Sequence, residues 1–515
     1  MKKIMLVIIT LLLTACNTTT SSPTQEKALQ LGLSNTIEHL NPILTEDGHS
    51  ELIGLVYRGL MKQTEEGELE GDLAKNFDVS DDELQYTFTL QKAQWHDGEP
   101  VTATDIVFTL EQILAKENAS PYYSDFQTVT HVEALTEEKV QITVSSPTPT
   151  LLDKLKVGII PAHIYEGADL FTATANKFPI GNGPYTLVDW SADEVLTFKA
   201  NPQFYGQVSQ IKRIIVYTKL DENTKLLRLQ TGDLHVTQIT PQQVTTVEKI
   251  DGINVKQLQT ADYRALQFNQ QHEQLRDVRV RTAINHLLNR QQLQQLVLHG
   301  TGEAAYGPLQ RSYARYDADI YSFNVNKAQK LLTQAGYKKE GNVYKKDGQP
   351  LQFDVVAPVT DPIRVALATV IVEQLQAQGI DAQLQTKDWA NIAIEQEDTF
   401  MIGWGSEGDP DTHTYRVFHS SEHAPAGYNY ALVNNQVIDA ALETAKSGTQ
   451  QERTDAYIDF QQALAQEMAF SFLLYVDGVY AVSNTVNGIS QKTLGHNGFG
   501  LLWNIEHWKW EDADV

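Results

Sequence analysis

The sequence predicts an α/β fold that is divided into at least two lobes. Segments typical of strands (351–356 and 381–386) alternate with segments that have the apolar spacing of helices (363–378, 436–446 and 452–467). Such alternation is the pattern of an α/β sheet. The chain has 515 residues, a length that exceeds what a single core usually supports. Hydrophobic residues make up 42% of it. We therefore expect two or more lobes, each with its own core.

The first part of the chain begins with strand-like segments. Residues 28–34 alternate apolar and polar side chains, as a strand does, and residues 84–90 repeat this alternation. A turn then leads to a predicted helix over 105–116, which Thr102 or Thr104 can cap. These elements predict a small sheet with a helix following it.

Two further helices are predicted from spacing and end signals. Residues 51–60 have the apolar spacing of a packed helix. A second helix is expected over 327–335, with Asn326 as its cap and Gly336 as its stop.

The first 27 residues predict an exported lipoprotein. Residues 1–15 carry two lysines and then an apolar run of about ten residues, half of what spans a membrane, which indicates a signal peptide. Cys16 is the only cysteine and follows small residues at the expected cleavage site, which resembles a bacterial lipobox. Residues 16–27 then form the lipidated cysteine and a flexible tether. We expect a lipid-anchored protein on the extracytoplasmic side of the cell membrane, at a cell surface or in a periplasm.

Charge and motif content exclude several functions. The formal net charge of −25 argues against a nucleic-acid partner, because phosphate binding needs a basic surface. A single cysteine excludes an internal disulfide. The sequence has no G-x-S-x-G, P-loop or HExxH motif and no cysteine nucleophile. We therefore expect a protein that is not an enzyme and carries no cofactor.

Residues 401–418, MIGWGSEGDPDTHTYRVF, are the predicted ligand loop. An apolar run ends at Trp404, and Glu407, Asp409 and Asp411 follow among glycines and a proline. This composition indicates a strand that opens into a loop. The tryptophan can cover an apolar ligand group, and the acids can hold a cation or an amine. A solvated turn beside a core tryptophan is the alternative.

Residues 73–111 resemble the signature region of the family 5 solute-binding proteins, the dipeptide, oligopeptide and nickel-chelate receptors of ABC importers. The likeness combines an ordered strand, the Trp-His-Asp-Gly turn at 95–98 and the helix start at 102–105. Further family-like pieces recur in order, including IGNGPY at 180–185, DVRVR at 277–281 and GDPD at 408–411. The likeness spans nearly all of residues 28–510.

This resemblance implies a two-lobed, periplasmic-binding-protein-like fold of type II, with an extra domain and with the ligand enclosed between the lobes. Lobe I would be discontinuous and would comprise residues 28–60, 178–268 and 480–515. The extra domain, residues 61–177, would pack on lobe I. Lobe II would comprise residues 269–479.

The resemblance also suggests ligand residues in the predicted loop. In peptide receptors of the family, an aspartate three residues after a tryptophan holds the free amino group of the peptide. Counted from Trp404, the matching residue is Glu407, which keeps the charge and reaches one methylene further. Asp409 is a further candidate, although Asp409 and Asp411 can instead hold the loop together by accepting backbone N–H bonds.

Two arginines are candidates for a ligand carboxylate. Arg364 follows Asp361 and Pro362 at the predicted start of a helix, where the guanidinium and the helix N-terminus can act together. Arg416 is close to Glu407 in sequence. Each arginine can equally be a surface residue.

Histidines support a rival ligand. His413, His419 and His423 fall within eleven residues, and His496 lies in a glycine-bearing turn near the C-terminus. Imidazoles suit Ni²⁺, but this spacing fits no compact metal motif, so we predict no metal site made of protein ligands alone. A captured chelate can use His413 or His496 as its one protein contact, whereas His419 and His423 are expected at the surface.

Taken with the resemblance, the sequence predicts a monomeric, lipid-anchored receptor that captures short peptides and delivers them to the permease and ATPase subunits of an ABC importer. A receptor for a nickel or cobalt chelate is the alternative. A peptide sensor or adhesin on the same fold is a second alternative.

Overall fold

The computed structural model describes residues 27–45, 51–191, 194–316, 321–405, 408–425 and 427–511. The predicted signal peptide and Cys16 lie outside these residues. The strands, in chain order, are β1 (Ala28–Gly32), β2 (Met61–Gln63), β3 (Leu69–Gly71), β4 (Ala74–Val79), β5 (Gln85–Leu90), β6 (Val129–Thr136), β7 (Lys139–Val144), β8 (Tyr185–Ser191), β9 (Val195–Ala200), β10 (Arg213–Tyr217), β11 (Val236–Gln238), β12 (Ile253–Leu258), β13 (Tyr263–Phe268), β14 (Glu303–Ala304), β15 (Lys338–Glu340), β16 (Val343–Lys346), β17 (Gln349–Pro350), β18 (Gln352–Pro358), β19 (Asp381–Lys387), β20 (Thr399–Trp404), β21 (Phe470–Tyr475), β22 (Gly478–Ser483), β23 (Val486–Asn487) and β24 (Lys509–Trp510). The α-helices are α1 (Ile53–Val56), α2 (Ala103–Leu114), α3 (Leu151–Lys154), α4 (Ala162–Tyr165), α5 (Glu222–Thr231), α6 (Val244–Val247), α7 (Val278–Leu287), α8 (Arg290–Val297), α9 (Val325–Gln334), α10 (Pro362–Gln378), α11 (Asp411–Phe418), α12 (Gln436–Ser447) and α13 (Gln450–Glu467).

A seven-stranded sheet combines strands from distant parts of the chain. Its order is β12-β22-β11-β1-β10-β9-β8. β1 runs parallel to β10 and β11, whereas the other pairs are antiparallel. The sheet therefore joins the start of the chain, the region around residue 200 and the C-terminal region.

A four-stranded antiparallel sheet, in the order β4-β5-β7-β6, follows β1 in sequence. Helix α2 packs on β6 and β7. A capping box starts this helix, with the Thr102 side chain and Asp105 each bonded to the backbone of the other residue. The apolar residues of this sheet join those of the seven-stranded sheet in one core.

A six-stranded sheet, in the order β14-β21-β13-β20-β18-β19, forms the other main layer. β18 runs parallel to β19 and β20. Alternate residues of β18 and β20 enter different cores: Val355 and Met401 pack in one, and Val356 and Phe400 pack in the other. Both faces are thus covered, as is usual for strands of this apolar content.

The chain passes between the seven-stranded and six-stranded sheets twice. Residues 259–262 connect β12 to β13, and residues 476–477 connect β21 to β22. The first passage, at residues 259–262, comes before the predicted lobe boundary at 268. The reason is that β13 (Tyr263–Phe268), which was predicted to end lobe I, already belongs to the six-stranded sheet. The lobe boundaries themselves stay predictions.

Most predicted elements are present, and two predictions are wrong. The helix expected over 51–60 spans only Ile53–Val56. The following backbone is extended against residues 155–157, and a Cβ atom at Gly59 would lie 2.6 Å from three carbonyl oxygens there. The helix start near residue 326 is capped by Asn324, which accepts the N–H of Lys327 at 2.9 Å, and not by Asn326.

Candidate ligand-binding site

β20 ends in a Gly-Trp-Gly sequence that lets it approach the neighbouring chain closely. A Cβ atom at Gly403 would lie 2.5 Å from Nη1 of Arg264. A Cβ atom at Gly405 would lie 2.5 Å from the Cα atom of Asp262. Any side chain at Gly403 or Gly405 would therefore displace Arg264 or Asp262, which lie beside Trp404.

A buried carboxylate organises the site. Asp262 is 1% exposed, pairs with Arg264 and accepts a hydrogen bond from Nδ1 of His496 at 2.9 Å. The N–H of Asn497 donates to its other oxygen at 3.0 Å. Burial by itself would raise the pKa of Asp262, but the charge of Arg264 and the contacts with His496 and Asn497 outweigh it and hold that pKa well below its usual range. The ionised carboxylate therefore holds Nδ1 of His496 as a donor and orients the ring, so that Nε2 is the nitrogen left for another partner.

Four side chains form a stacked column beside this carboxylate. The ring centroids of His496 and Trp404 are 6.5 Å apart, and those of Trp404 and Tyr428 are 5.0 Å apart, with interplanar angles of 29° and 30°. The guanidinium carbon of Arg416 lies 4.3 Å from the centroid of Tyr428. Arg416 thus supports Tyr428 by a cation–π contact and is separated from His496 by two rings.

A second arginine lies near the buried pair of Asp262 and Arg264. Arg364 is 6% exposed, and its Nε lies 3.1 Å from Oδ2 of Asp361. Burial and the nearby charge of Arg264 lower the pKa of Arg364 to about 10, although Asp361 and Asp262 oppose this change. Arg364 is therefore still a cation at neutral pH, with Asp361 as its ion-pair partner.

His413 lies on α11 within electrostatic range of His496 and Asp262. Its ring is 5% exposed, and neither ring nitrogen has a hydrogen-bond partner among the described residues. The carbonyl group of Pro308 is near the ring but does not complete a hydrogen bond with it. Burial lowers the pKa of His413 to about 4, so the ring is neutral at physiological pH and both its polar atoms are unsatisfied. We refer to Asp262, Arg264, Arg364, Trp404, His413 and His496 as the binding cluster.

The buried ring of His413 should make the ligand-free protein less stable as the pH falls from 6.5 to about 4. In the unfolded chain the ring takes up a proton near its ordinary pKa of 6.5, whereas in the folded protein it stays neutral down to about 4. The unfolded state therefore binds one more proton in this window, and the free energy of unfolding decreases by up to about 3 kcal/mol as the pH is lowered. Urea unfolding of the native protein and of His413→Phe at several pH values measures this contribution.

The difference in unfolding free energy between these two proteins isolates the histidine from other titrating groups. We expect that difference to move in favour of His413→Phe by about 3 kcal/mol between pH 7 and pH 4. A difference that does not change with pH would show that His413 is solvated or protonated in the folded protein.

Two of the acids that follow Trp404, Asp409 and Asp411, are engaged within the protein. Nη2 of Arg453 lies 2.5 Å and 2.6 Å from the two carboxylate oxygens of Asp409, and the N–H of Asp411 donates to Asp409 at 2.9 Å. Asp409 therefore organises the loop and the start of α11, and its contacts give no support to a ligand-binding role.

A second set of charges joins this loop to α3. Nζ of Lys154 lies 2.7 Å from a carboxylate oxygen of Asp125 and 3.3 Å from one of Asp411. The N–H of Asp409 donates to Asp153 at 3.3 Å. Burial by itself would lower the pKa of Lys154, but Asp125 and Asp411 outweigh it and raise that pKa well above its usual range. This α3–α11 contact connects the region of the four-stranded sheet to the six-stranded sheet.

The structure brings some of the predicted site residues together. Trp404, Arg364, His413 and His496 meet in the binding cluster, whereas Asp409 and Arg416 contact other parts of the protein. Glu407 lies outside the described residues, as does Cys16. His419 is buried rather than at the surface, and its Nε2 lies 3.4 Å from Glu443.

Sequence reasoning missed Asp262 and Arg264. They stand two residues apart at the start of β13, whose residues are all buried. A charged pair in such an apolar strand is the signal that marks them, because buried charges need specific partners. His496, the partner of Asp262, is however more than two hundred residues away in the chain.

The described residues include no group of three or more histidine, cysteine, aspartate or glutamate side chains that could hold a metal ion. Within the same part of the chain, no helix is long and apolar enough to cross a membrane.

Known proteins share this architecture. Residues 68–425 match the family described as bacterial extracellular solute-binding proteins, family 5 (middle). The chain is similar to Protein XP55 of Streptomyces lividans, with 28% identity over 477 residues that cover 91% of this chain and 87% of XP55.

Two solved structures are similar over almost the whole chain. The first is NikZ from Campylobacter jejuni in complex with Ni(L-His), with a TM-score of 0.87 and 34% identity, covering 94% of this chain and 99% of NikZ. The second is the oligopeptide-binding protein AppA from Bacillus subtilis in complex with a nonapeptide, with a TM-score of 0.81 and 26% identity, covering 95% of this chain and 100% of AppA.

These matches confirm the predicted fold class and the predicted family, and they agree with a solute-binding protein rather than an enzyme. The match to the family covers more than half of the chain. This protein therefore belongs to family 5 of the bacterial extracellular solute-binding proteins.

Proposed function

We propose that this protein captures a nickel chelate, with His496 as the one protein ligand of the metal. The observation that carries this proposal is the hydrogen bond from Nδ1 of His496 to the buried, ionised Asp262. A carboxylate that holds the other ring nitrogen is the usual support of a metal-binding histidine, because it fixes the tautomer and increases the basicity of the free nitrogen. Imidazole nitrogen is also a ligand type that Ni²⁺ prefers.

The rest of the binding cluster fits the organic part of such a chelate. Arg364 offers a buried cation to a carboxylate of the chelator. Trp404 lies beside His496 and can cover one face of the complex. The similarity to NikZ in complex with Ni(L-His) supports the same ligand class.

Peptide capture is the second candidate, and it is the function that the sequence predicted first. Arg364 can hold a peptide carboxylate as well as a chelator carboxylate, and a cavity of about 260 Å³ lies close to the His496 turn. The similarity to AppA in complex with a nonapeptide supports this candidate. The predicted amine contact, Glu407, lies outside the described residues and stays a prediction.

In either case the protein would act as the receptor of an ABC importer. Cys16 would carry the lipid that holds it at the membrane, and the closed, ligand-bound form would be the one presented to the permease. The two sheets would close around the ligand about residues 259–262 and 476–477, where the chain passes between them.

Native mass spectrometry combined with titration calorimetry distinguishes the two candidates. The protein is first stripped with EDTA and desalted, and is then titrated with Ni²⁺, with L-histidine, and with both together. We expect tight binding only when both are present, and a bound mass that contains one nickel ion and histidine. Retained peptides, together with no binding of nickel and histidine, would reject the chelate and favour the peptide receptor.

A further inference from the structure

The two passages between the main sheets lie side by side. The pairing of β12 with β22 ends on one side of them, and the pairing of β13 with β21 begins on the other. One passage has residues 259–262, whereas the other has only residues 476–477. They form a short stretch outside both sheets, where a rotation of one sheet against the other would be absorbed.

Hydrogen bonds join the two passages directly. The hydroxyl of Thr260 donates to the carbonyl of Val476 at 2.5 Å, and the N–H of Val476 donates to the carbonyl of Asp262 at 2.9 Å. The first passage also pairs with Leu494, which stands two residues before His496. The geometry of the passages therefore sets the positions of Asp262 and of the turn that carries His496.

Arg311 bonds both passages at once. Its Nη1 donates to the carbonyl of Thr260 in the first passage at 2.8 Å and to Oδ1 of Asp477 in the second at 2.7 Å. Its Nε donates to Glu303 at 2.8 Å. The side chains of Arg311 and Asp477 are only 8% and 7% exposed. This ion pair is therefore largely out of water, where each charge depends on the other.

The contacts around this ion pair extend to both sheets. Oδ2 of Asp477 accepts from the side chain of Gln257 in β12 at 2.6 Å and from the N–H of Gly302, next to β14, at 3.2 Å. The N–H of the residue before Arg311 donates to the hydroxyl of Tyr475 in β21 at 3.0 Å. Arg311 is thus fixed to the six-stranded sheet and reaches the residues that lead into the seven-stranded sheet.

We propose that Arg311 is a positioning residue for ligand capture, which clasps the two passages together and keeps the binding cluster assembled before the ligand arrives. Without it, Thr260 is free to shift, and this displaces Asp262 and with it the ring of His496. The proposal rests on the proposed function, because it takes residues 259–262 and 476–477 as the hinge. It adds the side chain that restrains this hinge.

Arg311→Met combined with Asp477→Asn tests the clasp, because it removes the ion pair without leaving a buried carboxylate unpaired. Hydrogen exchange of the ligand-free protein should become about 10-fold faster at residues 259–262 and 476–477, and calorimetry should show about 10-fold weaker binding of the nickel–histidine complex. Thr260→Val is a second test. It removes the bond to Val476 but keeps both charges, and it should change the two measurements in the same direction.

Arg281→Met is the matched control. The side chain of Arg281 is 3% exposed, and it donates to the carbonyls of Leu275 and Met468, which belong to a core of the six-stranded sheet. Its loss should lower the free energy of unfolding, as loss of Arg311 does, because both guanidiniums are buried among their partners. Exchange at the two passages and the affinity should stay as in the native protein.

Two results would overturn the clasp. One is unchanged exchange at the passages in both clasp variants, and the other is an equal loss of affinity in Arg281→Met, which would assign the effect to stability alone. Failure of the proposed function looks different. The native protein would then bind no nickel–histidine complex, whereas exchange at the passages would still become faster in the clasp variants and not in Arg281→Met.

Discussion

His496→Gln is expected to weaken binding of the nickel–histidine complex by about 100-fold or more. Loss of a residue that merely supports a metal ligand typically costs 10–100-fold in affinity, and His496 is proposed as the ligand itself. Glutamine keeps a polar side chain that can still donate to Asp262, so the other residues of the binding cluster should keep their positions. Calorimetry with nickel and L-histidine at fixed pH measures the change. The visible absorption of the nickel complex should also shift on binding to the native protein and stay unchanged with the variant.

Two further variants make this result specific. His419→Gln removes a buried histidine that contacts Ser421, Asp439 and Glu443, and it should leave the affinity unchanged. Asp262→Asn keeps the shape of the support but removes its charge, and we expect an intermediate loss within the 10–100-fold range. Unchanged binding by His496→Gln would remove this residue from metal capture and would favour the peptide candidate.

Lys154→Met is expected to lower the free energy of unfolding by about 3–5 kcal/mol. Lys154 is the cation of the α3–α11 contact, and its removal leaves Asp125 and Asp411 facing each other with their side chains only 12% and 7% exposed. Taking one partner from a buried ion pair is costly because the remaining charge loses its compensation out of water. Urea unfolding at pH 7, monitored by tryptophan fluorescence, measures the loss.

Lys345→Met is the matched control for this substitution. Its ammonium group pairs with Glu340 at 3.5 Å, and the two side chains are 36% and 57% exposed, so a loss of at most about 1 kcal/mol is expected because water solvates the remaining carboxylate. A third protein, with Lys154→Met, Asp125→Asn and Asp411→Asn together, should recover most of the stability because no unpaired carboxylate remains. A small effect of Lys154→Met alone would mean that water reaches the contact.

The α3–α11 contact should also affect the affinity for the ligand. Asp411 starts α11, and His413 lies two residues further along that helix. Because the α3–α11 contact joins regions that belong to different sheets, weakening it should reduce the population of the closed form. The affinity for the nickel–histidine complex would then decrease in proportion to the closed fraction. A measured decrease would link this charged contact to the closure of the protein around its ligand.

Local patterns in the sequence were sufficient for much of the fold. The alternation of strands and helices between residues 352 and 467 was predictable because apolar periodicity and caps act over a few residues. Asp361, for example, caps α10 by accepting the N–H of Arg364 at 3.0 Å. The motifs at 95–105 and 408–411 identified the family for the same reason, since they are contiguous. Trp404, Arg364, His413 and His496 were each marked by residue type and by a neighbouring turn or helix start.

By itself, then, the sequence determined the α/β class and the family, and it proposed four of the residues that the structure places in the binding cluster as candidates. Only the tertiary structure decided which of the candidate residues meet. It joined His496 to Asp262, Lys154 to Asp411 and Arg453 to Asp409. The first two pairs are more than two hundred residues apart in sequence. Periodicity and caps report on neighbours in the chain, whereas a buried ion pair depends on which strands become adjacent in a sheet. The partner of each buried charge is therefore a property of the topology.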